Sequence, residues 1–221
     1  MAYLEICPGI YQIGGGRLSS GEDCCVYLVG SDNEWALIDC GVRGETIGRN
    51  LLEVTGASPK LSYVILTHGH IDHIGGLAYF KRQFPEAKVV AHNLDLPAIE
   101  EGRPELTAAD WYGVKYSGIV VEKALLKSEE VLTIGEMQLH LLHTPGHTPG
   151  SISLYTDWQK RRVLFGQDIH GPFQPQWGSD KKAWRHSMQS LLALQADILG
   201  EGHYGVIQPQ DEVNAFIQGF L

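Results

Sequence analysis

The sequence has few basic residues for its length. Only 17 of its 221 residues are Lys or Arg, against 26 Asp or Glu, and the formal net charge is −9. Affinity for nucleic acid comes largely from Lys and Arg that displace counterions from phosphates, so this balance argues against a nucleic acid as substrate or partner. Bound divalent cations can still reverse the sign of the charge locally at one site.

Long apolar runs are also missing. No stretch approaches the 18 or so apolar residues that a membrane helix needs. The first ten residues, MAYLEICPGI, show no basic segment followed by an apolar core. We therefore expect no membrane partner and a cytoplasmic location. An apolar fraction of 43% without low-complexity tracts is that of an ordinary globular protein, and the length fits one domain over residues 1–221.

Cysteine is scarce, and its spacing matches no CxxC zinc or redox motif. The four cysteines are Cys7, Cys24, Cys25 and Cys40. The adjacent pair, Cys24 and Cys25, would form a disulfide only in a strained ring. We predict that all four are reduced and mostly buried.

The apolar pattern alternates between strands and helices. Strands are predicted at 9–14, 25–29, 34–39 and 61–67, with a helix at 46–54 and another at 74–84 that Asp72 caps. The order then repeats, with strands at 88–91, 131–134, 137–143, 151–155, 162–165 and near 198, and helices at 94–101, 182–195 and 211–220. Sheets in both halves with helices outside indicate a layered α/β sandwich.

The stretch THGHIDHIGG, residues 67–76, concentrates metal-ligand residue types directly after a predicted strand. Residues two apart in an extended segment face the same way, so His68 and His70 can direct both imidazoles at one point. The turn into the next helix can bring Asp72 and His73 toward a second point nearby. A polar loop with incidental histidines is the alternative, but the density of ligand types favours a metal site.

Three further residues of ligand type follow predicted strands. His147 lies in HTPGHTPGS, Asp168 in LFGQD, and His203 in EGHYG. Because α/β folds place their sites just past strand ends, these side chains are candidate partners of the first cluster.

Together these motifs resemble the metallo-β-lactamase superfamily, and within it the glyoxalase II-like branch, whose pattern HxHxDH, TPGH, D, GH is matched in order over about residues 9–207. The resemblance implies a four-layer αββα sandwich. It also implies two metal ions, the first bound by His68, His70 and His147, the second by Asp72, His73 and His203, with Asp168 bridging them. Asp39, in WALIDCG, matches an aspartate that the superfamily often places behind the ligands.

Imidazole and carboxylate without cysteine suit zinc first, and also iron or manganese. Zinc lowers the pKa of a bound water to about 7, which makes hydroxide available near neutral pH. Asp72 is then a candidate catalytic residue that orients the nucleophile or takes up a proton. His143 precedes the TPGH motif, and we expect it to support the site rather than bind metal, because His147 already fills the matching position.

Several residues are candidates for contact with a small-molecule substrate. His170, two residues after Asp168, and Tyr204 are possible oxyanion donors, and Trp177 is a candidate for the pocket wall. A loop-rich stretch that holds Trp111, Tyr112 and Tyr116 is a candidate lid, and Phe173 is a further candidate for the wall.

The leading hypothesis is a dinuclear hydrolase of small esters, thioesters, lactones or amides. Glyoxalase II enzymes hold glutathione with a helical C-terminal domain, whereas 18 residues of this sequence follow His203, so we do not expect specificity for glutathione. One alternative is a persulfide dioxygenase-like oxidoreductase with a single iron on His68, His147 and Asp168. Another is a non-catalytic metal-binding relative, which is disfavoured because such proteins usually lose ligands and all seven are kept here.

Overall fold

The first sheet contains seven strands and combines an antiparallel start with a parallel continuation. In the computed structural model, which describes residues 2–221, its order is β1 to β7. Strands β1 to β4 pair antiparallel, and β4 to β7 pair parallel. The bounds are β1 Leu4–Cys7, β2 Ile10–Gln12, β3 Tyr27–Ser31, β4 Glu34–Ile38, β5 Lys60–Ile65, β6 Lys88–His92 and β7 Lys123–Leu125.

The second sheet has six strands in the order β13-β12-β11-β10-β9-β8, and only β11 and β12 pair parallel. The bounds are β8 Glu129–Ile134, β9 Met137–His143, β10 Ile152–Trp158, β11 Arg161–Gln167, β12 Ile198–Glu201 and β13 Gly205–Ile207. Strand β9 shows why a sheet forms here: Met137, Leu139 and Leu141 alternate with polar or partly exposed residues, so that one face is buried.

Helices cover the outer faces of both sheets. They are α1 Glu45–Thr55, α2 Ile71–Ile74, α3 Leu77–Gln83, α4 Leu96–Ile99, α5 Pro104–Thr107, α6 Ala109–Tyr112, α7 Lys181–Ala193 and α8 Gln210–Phe220, with 3₁₀ turns at Asn93–Asp95 and Pro175–Trp177. None of these helices, within residues 2–221, combines the length and apolar character needed to cross a bilayer.

Three apolar cores hold the layers together. The central one lies between the sheets and joins residues such as Ile38 of β4 to Phe165 of β11. A second core packs α1 and α3 on the first sheet, and a third packs α7 and α8 on the second. This is the four-layer αββα sandwich that the sequence predicts, and its element order confirms the fold class.

Two local predictions are wrong. The helix predicted at 74–84 is divided at Gly75 and Gly76 into α2 and α3, because these glycines lie against backbone oxygens of Val42 and Cys40 that a Cβ would displace. Asp72 is not a cap: His70 occupies the N-cap position, and no side chain caps that end. Asp72 lies inside the first turn, where its carboxylate faces other ligand-type residues.

Other differences concern element bounds. The helix predicted at 94–101 is a 3₁₀ turn followed by the four-residue α4, and the predicted lid contains α5 and α6. Strands β1, β7 and β13, of three or four residues each, were not predicted. Such short edge segments carry too little periodic pattern to stand out in the sequence.

Candidate metal centre

The centre lies at one edge of the sandwich, where several strands end. Asp39 directly follows β4, the HGH segment follows β5, and His147, Asp168 and His203 follow β9, β11 and β12 within a few residues. Strand order therefore brings together side chains that are far apart along the chain.

His68 and His70 converge as their spacing predicts. His68 Nε2 lies 3.0 Å from His70 Nδ1, and His147 Nε2 lies 2.9 Å from the same nitrogen. Gly69 between them packs on α4: a Cβ there would approach the Cβ of Ala98 to 2.6 Å. With Asp168, these three histidines form a buried group whose ligand atoms all lie within 4.8 Å of one another.

Asp72, His73 and His203 form a second group within the same distance limit. Asp72 Oδ2 lies 3.2 Å from His203 Nε2 and 3.6 Å from His73 Nε2. Asp72 and His73 are buried, whereas about a third of the His203 side chain is exposed. This second group therefore has the more accessible position.

Asp168 contacts both groups. Its Oδ2 lies 3.4 Å from His147 Nε2 and 3.4 Å from His203 Nε2, and its Oδ1 lies 3.3 Å from His73 Nε2. Gly202 permits this position, because a Cβ there would overlap Asp168 Oδ1. One carboxylate thus stands between two sets of three ligand-type side chains.

The chemistry of the seven side chains fits divalent cations. His73 Nε2 and Asp168 Oδ1 are buried and lack hydrogen-bond partners among the described residues, although they are close together. Burial lowers the pKa of His68, His70 and His147, which keeps these imidazoles neutral with lone pairs to donate. Burial opposes ionisation of Asp168, but His73 and His203 beside it hold the pKa of that carboxyl well below its usual value.

Asp39 orients His73 from behind. Its Oδ2 accepts a hydrogen bond from Thr67 Oγ1 at 2.7 Å and lies 2.8 Å from His73 Nδ1, while Oδ1 accepts from the Thr67 backbone N–H. Asp39 adopts a left-handed conformation, with φ of 62°, which aspartate tolerates better than most residues. Such a contact fixes the ring orientation and leaves Nε2 of His73 to face Asp72 and Asp168.

His143 lies outside both groups. Its ring stacks on His92 with centroids 3.8 Å apart, and its Nε2 lies 2.9 Å from the carbonyl oxygen of Pro149. The contact with Pro149 holds the loop two residues after His147. His143 is therefore in a position to support that loop and not to bind an ion with His147.

A cleft of about 140 Å³ opens over the centre. Its walls include Trp111, Tyr112, His170, Pro172 and Trp177, next to His70, Asp72, Asp168 and His203. Of the aromatic residues considered from the sequence, Tyr116, Phe173 and Tyr204 do not line this cleft. Tyr116 Oη donates instead to Ile99 O, and Phe173 packs on Trp184. Tyr204 is 59% exposed beside His170, with ring centroids 5.2 Å apart.

Sequence reasoning missed two buried carboxylates that support the ligand loops. Asp95 accepts hydrogen bonds from Gly69 N, Gly150 N and Thr148 Oγ1. Glu201 accepts from the backbone N–H groups of Ile169, His203 and Tyr204, and its Oε1 lies 2.9 Å from His170 Nδ1. Glu201 could have been singled out from the sequence, because it directly precedes the glycine and histidine of the EGHYG motif. No local pattern distinguishes Asp95.

Comparisons with known proteins identify the family and the fold. Residues 21–203 match the family model described as the metallo-beta-lactamase superfamily. The chain is 27% identical to the metallo-beta-lactamase fold-containing protein ST1585 of Sulfurisphaera tokodaii, over 92% of this chain and 81% of that protein. It is 26% identical to the hydroxyacylglutathione hydrolase GloC of Haemophilus influenzae, over 87% and 92% respectively.

Another relative is longer than this chain. The acyl-coenzyme A thioesterase MBLAC2 of Gallus gallus is 26% identical over 76% of the chain, and the match spans 65% of that protein. Among solved structures, BJP-1, a subclass B3 metallo-beta-lactamase of Bradyrhizobium japonicum, superposes with a TM-score of 0.78 at 21% identity, covering 100% of this chain and 90% of that one. At this identity the superposition supports the fold alone.

Proposed function

Because the chain belongs to the metallo-beta-lactamase superfamily, we propose that it is a hydrolase that uses two divalent metal ions, zinc in the first instance, to cleave small esters, thioesters, lactones or amides. The observation that carries this proposal is the position of Asp168. Its carboxylate lies within 3.4 Å of histidine nitrogens from both ligand groups. One carboxylate shared by two ligand sets suits two neighbouring ions.

Each group would hold one ion. His68, His70 and His147 would bind the first, and Asp72, His73 and His203 the second, with Asp168 in reach of both. A mononuclear iron site on His68, His147 and Asp168 would leave the second group without a role. The assembly of that second group, with Asp39 orienting His73, supports two ions over one.

Divalent ions bound there would lower the pKa of water toward neutrality and stabilise negative charge on a substrate oxygen. Asp72 lines the cleft, and its Oδ2 lies 3.2 Å from His203 Nε2 as a ligand atom of the second group, so its other carboxylate oxygen would hold the attacking water and accept its proton. Attack at the carbonyl carbon forms a tetrahedral oxyanion, and collapse breaks the bond to the leaving group. The proton held at the other oxygen of the Asp72 carboxylate then passes to that group.

Tyr112 of α6 and His170, which follows β11, both line this cleft. Tyr112 lies beside Asp72, where burial and the neighbouring carboxylate raise the pKa of the phenol, so it stays protonated and can donate a hydrogen bond. His170 is held by Glu201 at 2.9 Å. These two side chains are candidates to orient a polar substrate group near the oxyanion.

The named activities of two relatives support acyl substrates. One is a hydroxyacylglutathione hydrolase and the other an acyl-coenzyme A thioesterase, and both activities cleave thioesters. A cleft of about 140 Å³ holds the reacting end of such a molecule and leaves the remainder outside. A thioester is therefore the first substrate class to test.

The test combines metal analysis with a substrate panel. The purified chain is freed of metal, reloaded separately with zinc, manganese or iron, and assayed against thioesters, lactones, β-lactams and phosphodiesters. We expect about two ions per chain and hydrolysis of a carbonyl substrate. If the protein binds one iron per chain and consumes oxygen when a persulfide is added, it is a dioxygenase and the hydrolase proposal is wrong. A chain that binds none of these ions and turns over nothing would refute both.

A further inference from the structure

A second and larger cavity lies beside the metal cleft. Its volume is about 290 Å³, close to the lower end of the range of about 300–1,000 Å³ typical of small-molecule pockets. Five segments of the chain enclose it: Gly69 of the HGH loop, the 3₁₀ turn Asn93–Asp95 with α4, α5, the loop around Thr148, and the loop around Trp177. The seven ligand-type side chains do not line it, so it is a distinct compartment.

The lining of this cavity is mainly apolar. Its apolar side chains are Leu94, Ala98, Leu106, Pro149, Pro175 and Trp177. Within residues 2–221 the lining includes no Lys, Arg or His. Its one ionisable group, Asp95, is buried, and both carboxylate oxygens already accept hydrogen bonds from the protein. The walls therefore suit an uncharged apolar ligand and offer an anion no cationic side chain.

The two cavities share one wall, Trp177. Its indole packs on His70 with ring centroids 4.3 Å apart and on Trp111 at 4.9 Å. The buried indole Nε1 has no hydrogen-bond partner among the described residues, so a movement of this side chain breaks no hydrogen bond. Trp177 therefore lies between a reacting group in the cleft and the apolar space next to it.

The rim of the cavities exposes apolar surface to water. Leu94 is 50% exposed and Trp111 is 59% exposed. Large apolar side chains that cluster around an open pocket mark a binding surface more often than isolated ones do. Here Leu94 borders the apolar cavity, and Trp111 borders the metal cleft next to it.

We propose that this cavity binds the apolar acyl chain of the substrate, while the scissile carbonyl reaches the metal cleft past Trp177. The inference rests on the proposed hydrolase function and narrows its substrates to esters or thioesters of medium-length fatty acyl groups. The charged or polar leaving group stays at the open mouth of the cleft. Specificity for the acyl chain then comes from Leu94, Ala98 and Leu106, none of which is a metal ligand in this assignment.

The experiment uses the zinc-loaded protein and thioesters from acetyl to decanoyl. Each methylene that enters the cavity raises kcat/KM by about fourfold until the cavity is full. Leu94→Asp introduces a charge at the rim, where an exposed position tolerates it. We expect this variant to lose at least about tenfold in kcat/KM for the decanoyl substrate and to lose less for the acetyl substrate, whose short chain does not extend into the cavity. Leu126→Asp is the matched control, because Leu126 is 72% exposed and does not line the cavity.

A second readout does not depend on turnover. The measurement is a calorimetric titration with decanamide, a neutral alkyl ligand. We expect the wild-type and Leu126→Asp proteins to bind it and Leu94→Asp to lose this binding. If decanamide binds in this way but no thioester is cleaved, the cavity assignment holds and the hydrolase proposal fails. A wild-type kcat/KM that does not depend on chain length, or equal behaviour of the two Asp variants, overturns the acyl-chain site.

Discussion

Gly69 donates its backbone N–H to the buried carboxylate of Asp95 across 2.9 Å. Gly69 separates His68 from His70, so this bond fixes the segment that carries two ligand-type histidines. The same carboxylate accepts from Thr148 Oγ1 and Gly150 N, each at 2.7 Å, on either side of the loop after His147. Asp95 thus ties together the two loops that supply the histidines of the first group.

Asp95→Asn should weaken the first metal position. In the wild type each carboxylate oxygen of Asp95 accepts a backbone N–H. The asparagine amide replaces one of these oxygens by NH₂, so in either orientation this NH₂ faces a backbone N–H and two donors repel each other. We expect the free energy of unfolding to fall by about 1–3 kcal/mol. Zinc affinity at the first group should fall about 10- to 100-fold. Urea denaturation and competition with a chromophoric chelator measure the two effects.

Asp197→Asn provides the control for this change. Asp197 also accepts a backbone hydrogen bond, from Arg162 N at 2.7 Å, but it lies away from the metal centre. The control should lose some stability and keep both zinc affinities. Equal zinc affinities in Asp95→Asn and the wild type would show that Asp95 does not position the histidine loops.

Glu201→Gln should affect the second metal position in the same way. Glu201 is fully buried, and its Oε2 accepts from His203 N at 2.7 Å and from Tyr204 N at 2.9 Å. An amide cannot accept at both ends, so the segment carrying His203 loses support. We expect zinc affinity in the weaker of the two binding steps to fall about 10- to 100-fold, and affinity in the tighter step to fall less.

Glu122→Gln is the matched comparison, since Glu122 Oε2 accepts from Val89 N at 2.7 Å on another part of the fold. Stepwise zinc titration distinguishes the outcomes. If Asp95→Asn and Glu201→Gln weaken the same step to the same extent, the assignment of one carboxylate to each ligand group is wrong.

The limits of sequence reasoning are clearest at these carboxylates. The HGHIDH spacing indicates a ligand cluster because the periodicity of an extended segment is local information. Asp95 meets Gly69 across 26 positions and Thr148 across 53, through the order in which β5 and β6 pair. No local pattern encodes that contact. The cap predicted for Asp72 failed for a related reason: local preference favours a cap, but the side chain lies among His73, His203 and Asp168.

Asp168→Ala should remove metal and nearly all hydrolysis. The carboxylate contacts histidines of both groups, so its loss weakens both metal positions. We expect kcat/KM to fall by at least about 100-fold and the zinc content to fall with it. Cys40→Ala should keep zinc and activity and lose about 1 kcal/mol of stability, because Cys40 is buried behind the centre. Unchanged turnover in Asp168→Ala would refute the bridging role.

The thiols should differ in reactivity although none forms a disulfide among the described residues. Cys24, Cys25 and Cys40 are buried, and burial raises the pKa of Cys25 to about 12. Cys7 is partly exposed. A thiol reagent should therefore label Cys7 alone in the native protein and all four cysteines in denaturant, as read by mass spectrometry. Native labelling of Cys24 or Cys40 would contradict their burial.

His92 should make the protein less stable as the pH falls. It is buried, and burial together with the stacked His143 lowers the pKa of His92 to about 4, against the weaker opposing effect of Glu130. Between about pH 6.5 and 4 the unfolded chain binds a proton at this position that the folded chain does not. Stability from this group is therefore fully present above pH 6.5 and is lost as the pH falls toward 4, by up to about 3 kcal/mol.

Urea denaturation of metal-free protein at pH 7 and pH 5 tests this effect, because metal loss then cannot contribute. The buried ligand histidines add their own pH dependence to every protein compared, so the informative quantity is the difference between His92→Gln and the wild type. We expect a smaller loss of stability on acidification in His92→Gln. His186→Gln, which removes an exposed histidine of α7, should behave like the wild type. An equal loss in all three proteins would mean that His92 takes up its proton without cost to the fold.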